Sequence, residues 1–314
     1  MDKSNKTVLV TGGAGYIGSV LVPELLKTGH KVRVLDSLVF NQTSLLPYFI
    51  DENFEFIKGD IRHVEAVKNA LQGVDTIIHL AAIVGAPACK KNPQLAEEVN
   101  FIGTTNINNI RKPSQKLFYA STGSVYGKVD GICTEELIPK PLSLYGTTKL
   151  RAENEVMKKG NAISYRFATA FGLSARLRLD LLPNDFVFSA LKNRHLVIYD
   201  KDFMRTFIHV TDIVRAYIFG INNFEAMKNE VYNVGSEKMN KTKEDIANAV
   251  KQKVKCELYF ADKGIPDPDQ RDYEVSYEKL RGKGFEINVS FEQGVDEMVR
   301  GLQMVNIINP FVNV

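Results

Sequence analysis

The sequence predicts an α/β fold: a doubly wound parallel sheet followed by a smaller C-terminal lobe. Three observations carry this. Short apolar runs alternate with helix-compatible segments through the first half, a glycine-rich turn directly follows the first run, and the alternation loosens after about residue 173. Strands separated by helices imply parallel pairing with right-handed crossovers.

Taken in order, "TVLVTG" (7–12) reads as a buried strand, followed by "KVRVLD" (31–36), "FEFIKGD" (54–60), "VDTIIHLAA" (74–82) and "KLFYAST" (116–122). "AISYRFATAFG" (162–172) is expected as a sixth strand. "RLRLDLLPNDFVFSALKNR" reads as a loop and then a helix, and "RTFIHVTDIVRAYIFGI" (205–221) and "EVYNVG" (230–235) as a return to the main sheet. The expected division is residues 1–173 for the first domain, rejoined at about 207–235, and 174–314 for the smaller lobe. No internal repeat or low-complexity linker interrupts the chain, and the tail "NIINPFVNV" (306–314) is apolar enough to pack.

A chain of 314 residues, 44% hydrophobic and 25% charged, can build a large core. Forty basic and 37 acidic residues leave a net charge of +3, too balanced to suggest a nucleic-acid partner. The apolar runs fall short of a membrane span, and "MDKSNKTVLV" is polar before it enters a strand, unlike a signal peptide. Cys89, Cys133 and Cys256 are odd in number and widely spaced, which fits a reducing compartment better than a disulfide framework. No His/Cys/Asp cluster has metal-ligand spacing. The expectation is a cytoplasmic protein without a metal or membrane partner.

"TGGAGYIGS" (11–19) sits between a strand and a helix. Its glycines satisfy G-x-G-x-x-G at Gly13, Gly15 and Gly18 and G-x-x-G-x-x-G at Gly12, Gly15 and Gly18. Such a turn lets backbone approach a pyrophosphate at a helix N-terminus. Asp36 ends the next strand, where an acid accepts hydrogen bonds from an adenosine ribose. Together these predict a Rossmann-type dinucleotide site. The Asp36 carboxylate would repel a 2′-phosphate, and Ser37 and Leu38 supply no cation, so the expected cofactor is NAD.

"LYGTTKL" (144–150) places Tyr145 and Lys149 four residues apart, on one helix face. A free phenol loses its proton near pH ~10, and a neighbouring cation favours the phenolate. The pair therefore suits Tyr145 to act as a general base.

With these motifs in this order, the chain resembles the extended short-chain dehydrogenases/reductases, in the NAD-dependent nucleotide-sugar epimerase/dehydratase family, over nearly its whole length. The family's glycine loop matches Gly12, Gly15 and Gly18, with Tyr16 and Ile17 between them. Its adenine-binding acid matches Asp60 in "GDIR", followed by Ile61; its fourth-strand motif matches Leu80, Ala81 and Ala82 in "HLAA"; its asparagine beyond that strand matches Asn100. Tyr145 and Lys149 match its Tyr-x-x-x-Lys pair, and Thr122 in "STGSVYG" matches the hydroxyl that completes its triad. The resemblance implies that Tyr145 takes a proton from a sugar hydroxyl, Lys149 assists it and holds the nicotinamide ribose, and Thr122 bonds the reacting oxygen.

It also implies that the C-terminal lobe grips a nucleoside diphosphate. Arg205 in "RTFIHV" and Arg271 in "DQRDY" match basic positions near the phosphates, and Arg176, Arg178 and Asn184 fall where the family closes a loop over the nucleotide. Thr169 replaces an asparagine the family often places in "RxxNxxG". Dehydrating members carry an acid and a base where this chain has Gly123 and Ser124, leaving Ser124 as a sugar contact. The expected reaction is NAD-dependent oxidation of the C4 hydroxyl of a nucleotide-diphosphate sugar, with 4-epimerisation as the alternative outcome and a non-catalytic NAD(H)-binding sensor or scaffold as the alternative of another kind. "ATAFGLSARLRLDLLPNDF" further resembles bacterial capsular enzymes that oxidise a GDP-heptose at C4, which implies a role in surface-polysaccharide sugar synthesis. The resemblance also implies a homodimer formed through segments of about 97–111 and 144–159.

Overall fold

The computed structural model describes residues 6–129, 131–261 and 274–305. Its strands are β1 (Thr7–Thr11), β2 (Lys31–Asp36), β3 (Phe54–Lys58), β4 (Thr76–His79), β5 (Lys116–Thr122), β6 (Ile132–Cys133) and β7 (Ala162–Phe167). There follow β8 (Thr169–Phe171), β9 (His195–Tyr199), β10 (Met204–His209), β11 (Glu230–Val234), β12 (Asn240–Thr242), β13 (Glu257–Ala261) and β14 (Glu274–Val275).

Seven strands form one sheet in the order β11-β7-β5-β4-β1-β2-β3, and every neighbouring pair in it is parallel. Parallel sheets bury both faces under helices, which is why these strands read as continuous apolar runs. One face packs Val8, Val10 and Phe118 with Leu21, Val22 and Tyr217 of the covering helices; the other packs Leu9, Ile77 and Tyr119 with Ile107 and Val156. The order reverses between β1 and β4. In open α/β sheets the crevice beyond the strand ends at that switch point is where ligands bind.

The run 162–172, expected as one strand, is divided between two sheets. β7 lies in the large sheet, while β8 pairs with β10 in a three-stranded sheet completed by β12. Hydropathy reports burial and not the identity of the hydrogen-bonding strand, so an apolar run that changes partner at Ala168 looks continuous. For the same reason only Glu230–Val234 of the two later segments joins the large sheet, whereas β10 lies in the small one. The Val210–Asn222 helix that follows β10 does pack on the large sheet, through Ile213, Val214 and Tyr217. A separate core in the C-terminal region gathers Phe171, Phe186, Phe207, Phe291 and Met298.

The segment of about 97–111 is continuous with an α-helix at Pro93–Glu97 and comprises a π-helical stretch at Glu98–Gly103 and an α-helix at Thr104–Ile110. The Leu144–Lys159 helix beside it is regular. Ser143 accepts a hydrogen bond from the Gly146 amide at its start, and Gly160 adopts a positive φ at its end. Cys89, Cys133 and Cys256 are buried free thiols. Among the described residues, no helix is long and apolar enough to cross a membrane and no group of His, Cys, Asp or Glu could hold a metal ion.

Candidate active site and cofactor site

The carboxyl ends of β1, β2, β4 and β5 open into a cavity of about 590 Å³. Gly12, Gly15, Tyr16, Ile17 and Gly18 line it from the first loop, and Asp36, Asp60 and Ile61 from the ends of the next two strands. Gly12 has φ +70°, and a Cβ there would lie 2.7 Å from the Ala81 amide nitrogen. A Cβ at Gly18 would lie 2.4 Å from the Gly13 carbonyl oxygen. Only glycine fits either position, and the result is a concave backbone at the start of the Gly18–Lys27 helix.

Asp36 is 7% exposed and accepts two backbone bonds, from Ala14 N at 3.0 Å and Leu38 N at 2.8 Å. Burial raises its pKa against the pull of those bonds. Asp60 is held by Arg62, whose guanidinium reaches one Asp60 oxygen at 2.8 Å and Glu98 at 2.7 Å. Burial pushes the Asp60 carboxyl up, and the Arg62 bonds outweigh it, leaving the pKa lowered. Arg62 also lines the cavity but is shared by two carboxylates, so it offers a 2′-phosphate little net charge.

At the other end of the cavity stand Thr122, Ser124, Tyr145 and Lys149. Gly146 packs so closely on the Ser124 carbonyl that a Cβ would lie 2.6 Å away, which fixes the turn after β5 against the start of the Tyr145 helix. The Thr122 hydroxyl accepts from Ser124 N and lies 3.2 Å from Ser124 Oγ. Lys149 is 3% exposed, with its Nζ 4.2 Å from the centroid of the Tyr119 ring. Burial lowers its pKa to about 7, against the raising influence of Glu153 and Cys89.

Leu80, Ala81 and Ala82 line the cavity between these two ends. They are aligned by His79, which is 1% exposed. Thr104 Oγ1 donates to the Asn100 carbonyl at 2.7 Å and so accepts from His79 Nε2 at 2.8 Å. Nδ1 then accepts from Thr11 Oγ1 at 2.7 Å, and the same oxygen receives the Ala81 amide at 3.3 Å. Burial, then the nearby Lys149, lowers this imidazole to about 3, so it stays neutral.

Asn100 does not line the cavity. Its carboxamide accepts from Ile83 N at 2.8 Å and donates to Ile83 O at 3.0 Å and Thr148 Oγ1 at 3.2 Å. It therefore fastens the loop after β4 to the Tyr145 helix. Asn184 is also away from the cavity surface: it accepts from Gly172 N at 3.0 Å and donates to Arg178 O at 2.9 Å. Beside it the Tyr16 hydroxyl donates to Gly172 O at 2.7 Å, tying the glycine loop to the C-terminal lobe.

Thr169, Arg176, Arg178 and Arg205 line the lobe side of the cavity. Arg178 is paired to Asp180 through two bonds of 2.7 and 2.5 Å. Arg176 lies 4.8 Å over the Phe40 ring. Arg271 falls outside the described residues. Sequence reasoning did not single out Arg62, Phe40, Asp180 or Lys243, which also line the cavity. Their membership depends on chain crossings that no local spacing encodes; only Arg62, two residues after Asp60, had a nearby motif to flag it.

The cradle that any Cβ would fill, the buried acid at the end of β2 and the Tyr–Lys helix fit a nicotinamide dinucleotide and define the class of an extended short-chain dehydrogenase/reductase. The model of the NAD dependent epimerase/dehydratase family matches residues 8–235, and the chain belongs to that family. It is 29% identical to a putative UDP-glucose 4-epimerase of Methanocaldococcus jannaschii, across 95% of this chain and 99% of that one. The structure of the Thermus thermophilus UDP-glucose 4-epimerase in complex with NAD superposes with a TM-score of 0.83 at 27% identity, covering 95% of this chain and 99% of that one. The Bacillus cereus UDP-glucuronic acid 4-epimerase in complex with UDP-glucuronic acid and NAD superposes at 0.85 and 25% identity, with the same coverage. The chain is an NAD-dependent enzyme of the nucleotide-sugar epimerase/dehydratase type.

Proposed function

We propose that the enzyme oxidises the C4 hydroxyl of a nucleotide-diphosphate sugar and carries out no 4,6-dehydration. The observation that carries this reading is the joint placement of Thr122, Tyr145 and Lys149 on one cavity whose adjoining turn holds Gly123 and Ser124 in place of carboxylic acids. Epimerisation at C4, dehydration across C5–C6 and decarboxylation of a uronic acid all become accessible from a 4-keto sugar, which explains how relatives with different products share this geometry.

NAD, when bound, supplies the hydride acceptor. Tyr145 accepts the proton of the C4 hydroxyl, and the Thr122 hydroxyl holds the same oxygen. Lys149 lies one turn further along the same helix, where its ammonium, when protonated, is the charge that favours a phenolate. Asn100 keeps the Ile83 loop in register with the Tyr145 helix. Once C4 is a ketone the C5 proton is acidic, but Gly123 offers no side chain and Ser124 only a hydroxyl engaged by Thr122. Losing general acid or base catalysis forfeits about 10²–10⁴ in rate for each. The ketone then either leaves, giving a net dehydrogenase, or is reduced on its other face. The 4-epimerases among the relatives favour the second outcome. The capsular-enzyme resemblance of the 168–186 region supports the first, with a GDP-heptose as substrate and a place in surface-polysaccharide synthesis.

The three buried free thiols suit a reducing cytoplasm. The Leu144–Lys159 helix and the 93–110 turns lie side by side with Ile102 45% exposed, which supports a dimer through that face. Mass spectrometry of products from a panel of nucleotide sugars tests the reaction. Loss of two hydrogens supports the dehydrogenase, an isobaric C4 isomer the epimerase, and loss of water refutes the proposal.

A further inference from the structure

Resting on the reading that Lys149 faces the ribose that carries the nicotinamide, we propose that Ser121 is a further cofactor-binding residue, whose hydroxyl accepts a hydrogen bond from that ribose. Ser121 is the last but one residue of β5 and lines the cavity beside Thr122. It is 4% exposed, and among the described residues its Oγ has no hydrogen-bond partner. A buried hydroxyl without a partner is destabilising, and nearly all such groups in folded proteins are satisfied. Bordering a ligand cavity, this one is placed to be satisfied by what the cavity binds.

Strand geometry gives its direction. Side chains alternate across a strand, and residues in register on a neighbouring strand share a face. In β5, Tyr119 and Ser121 therefore share one face and Thr122 takes the other. The Leu144–Lys159 helix covers the first face: Lys149 Nζ lies 4.2 Å from the Tyr119 ring centroid, and the Tyr119 hydroxyl donates to the Lys149 carbonyl at 3.3 Å. In β7, Ser164 and Arg166 stand in register with Tyr119 and Ser121, and both donate to Glu153, one turn beyond Lys149. Ser121 thus lies between Tyr119 and the open end of β5, on the sheet face beneath Lys149. Thr122 turns instead toward the 123–125 turn, where its Oγ1 accepts from Ser124 N. The hydrogen-bonding chemistry agrees. An ammonium has three donors and no acceptor, so a ribose hydroxyl that accepts from Lys149 still has its own hydrogen to give. The Ser121 oxygen can take it.

The test uses the cofactor and its fragments with no sugar present, so the C4 chemistry stands or falls separately. The full-length protein, Ser121→Ala and Lys149→Met, each freed of nucleotide, are titrated calorimetrically with NAD, ADP-ribose and ADP. ADP-ribose keeps the second ribose without the nicotinamide, and ADP lacks both. Ser121→Ala is expected to weaken NAD and ADP-ribose by about 3- to 10-fold and to leave ADP unchanged. Without ligand, the Tm of this variant is expected to match or exceed that of the parent, while the rise in Tm on adding NAD shrinks. Unchanged affinities, a loss confined to NAD or a loss shared by ADP overturns the proposal. So does a lower Tm of the unliganded variant, which would mark the hydroxyl as structural. Lys149→Met separates the two readings. If it weakens ADP-ribose and Ser121→Ala does not, Lys149 keeps the ribose and Ser121 loses its assignment. If neither does, the ribose reading falls and takes the proposal with it.

Discussion

The Asn100 side chain grips the main chain of Ile83 from both sides, accepting its amide hydrogen and donating to its carbonyl, and extends the same amide group to Thr148 on the helix of Tyr145 and Lys149. One residue thus sets the spacing between the loop after β4 and the Tyr145 helix.

Asn100→Ala leaves the part-buried Ile83 amide without its partner and the Ile83 carbonyl with only the Cys89 thiol, at about 1–3 kcal/mol of stability. Because this loop loosens while the glycine cradle is untouched, kcat/KM is expected to fall about 10- to 100-fold with little change in NAD affinity. Fluorescence titration of the cofactor and steady-state kinetics separate the two; an equal loss in both would remove the positioning role.

Tyr145→Phe keeps the ring that packs with Cys89 and Ala96 and removes the hydroxyl. Sugar oxidation is expected to drop by about 10²–10⁴, with Tm and NAD binding near those of the parent. Turnover within a factor of a few of the parent would take Tyr145 out of the mechanism.

Lys149 makes the stability of the unliganded chain pH-dependent. Its folded pKa is depressed to about 7, below the ~10.4 of an unfolded lysine. Below pH 7 both states hold the proton and the penalty of a buried charge is fully present. Between about 7 and 10.4 the unfolded state holds one more proton, so this group raises stability as pH rises. Lys149→Met is expected to stabilise the unliganded protein at pH 6.5, to flatten that slope and to abolish most oxidation. Denaturant titrations at pH 6.5 and 9.5 check it; an unchanged slope contradicts the assignment.

Asp36→Ala removes the acceptor at the end of β2 and frees the Ala14 and Leu38 amides. NAD affinity is expected to fall by about tenfold or more and the NAD/NADP preference to narrow, as measured by isothermal titration with each cofactor. Tighter NADP binding by the parent would overturn this role for the carboxylate.

Much of this site was legible because its parts are local. β2 occupies residues 31–36 as read, since an alternating run between a glycine and an acid has clear ends. The glycine loop and the Tyr145–Lys149 pair are short spacings with direct physical meaning. What escaped was non-local. No spacing announces that Arg62 is shared with Glu98, that Phe40 lies under Arg176, or that Lys243 lines the same cavity. Asn184 reads as a ligand contact from its place in the lobe, but its carboxamide is taken up by Gly172 and Arg178. The π-helical stretch at Glu98–Gly103 leaves no mark on the hydropathy of the 97–111 segment.

The network around His79 bears on how this enzyme's acid–base behaviour is to be read. An imidazole held neutral down to about pH 3 is a strut with constant charge, and no histidine lines the described cavity. A titration near neutrality in the reaction is therefore not to be assigned to a histidine lining this cavity. An inflection close to pH 7 in the rate of sugar oxidation is expected to belong to the Tyr145–Lys149 pair, and to move or vanish in Lys149→Met.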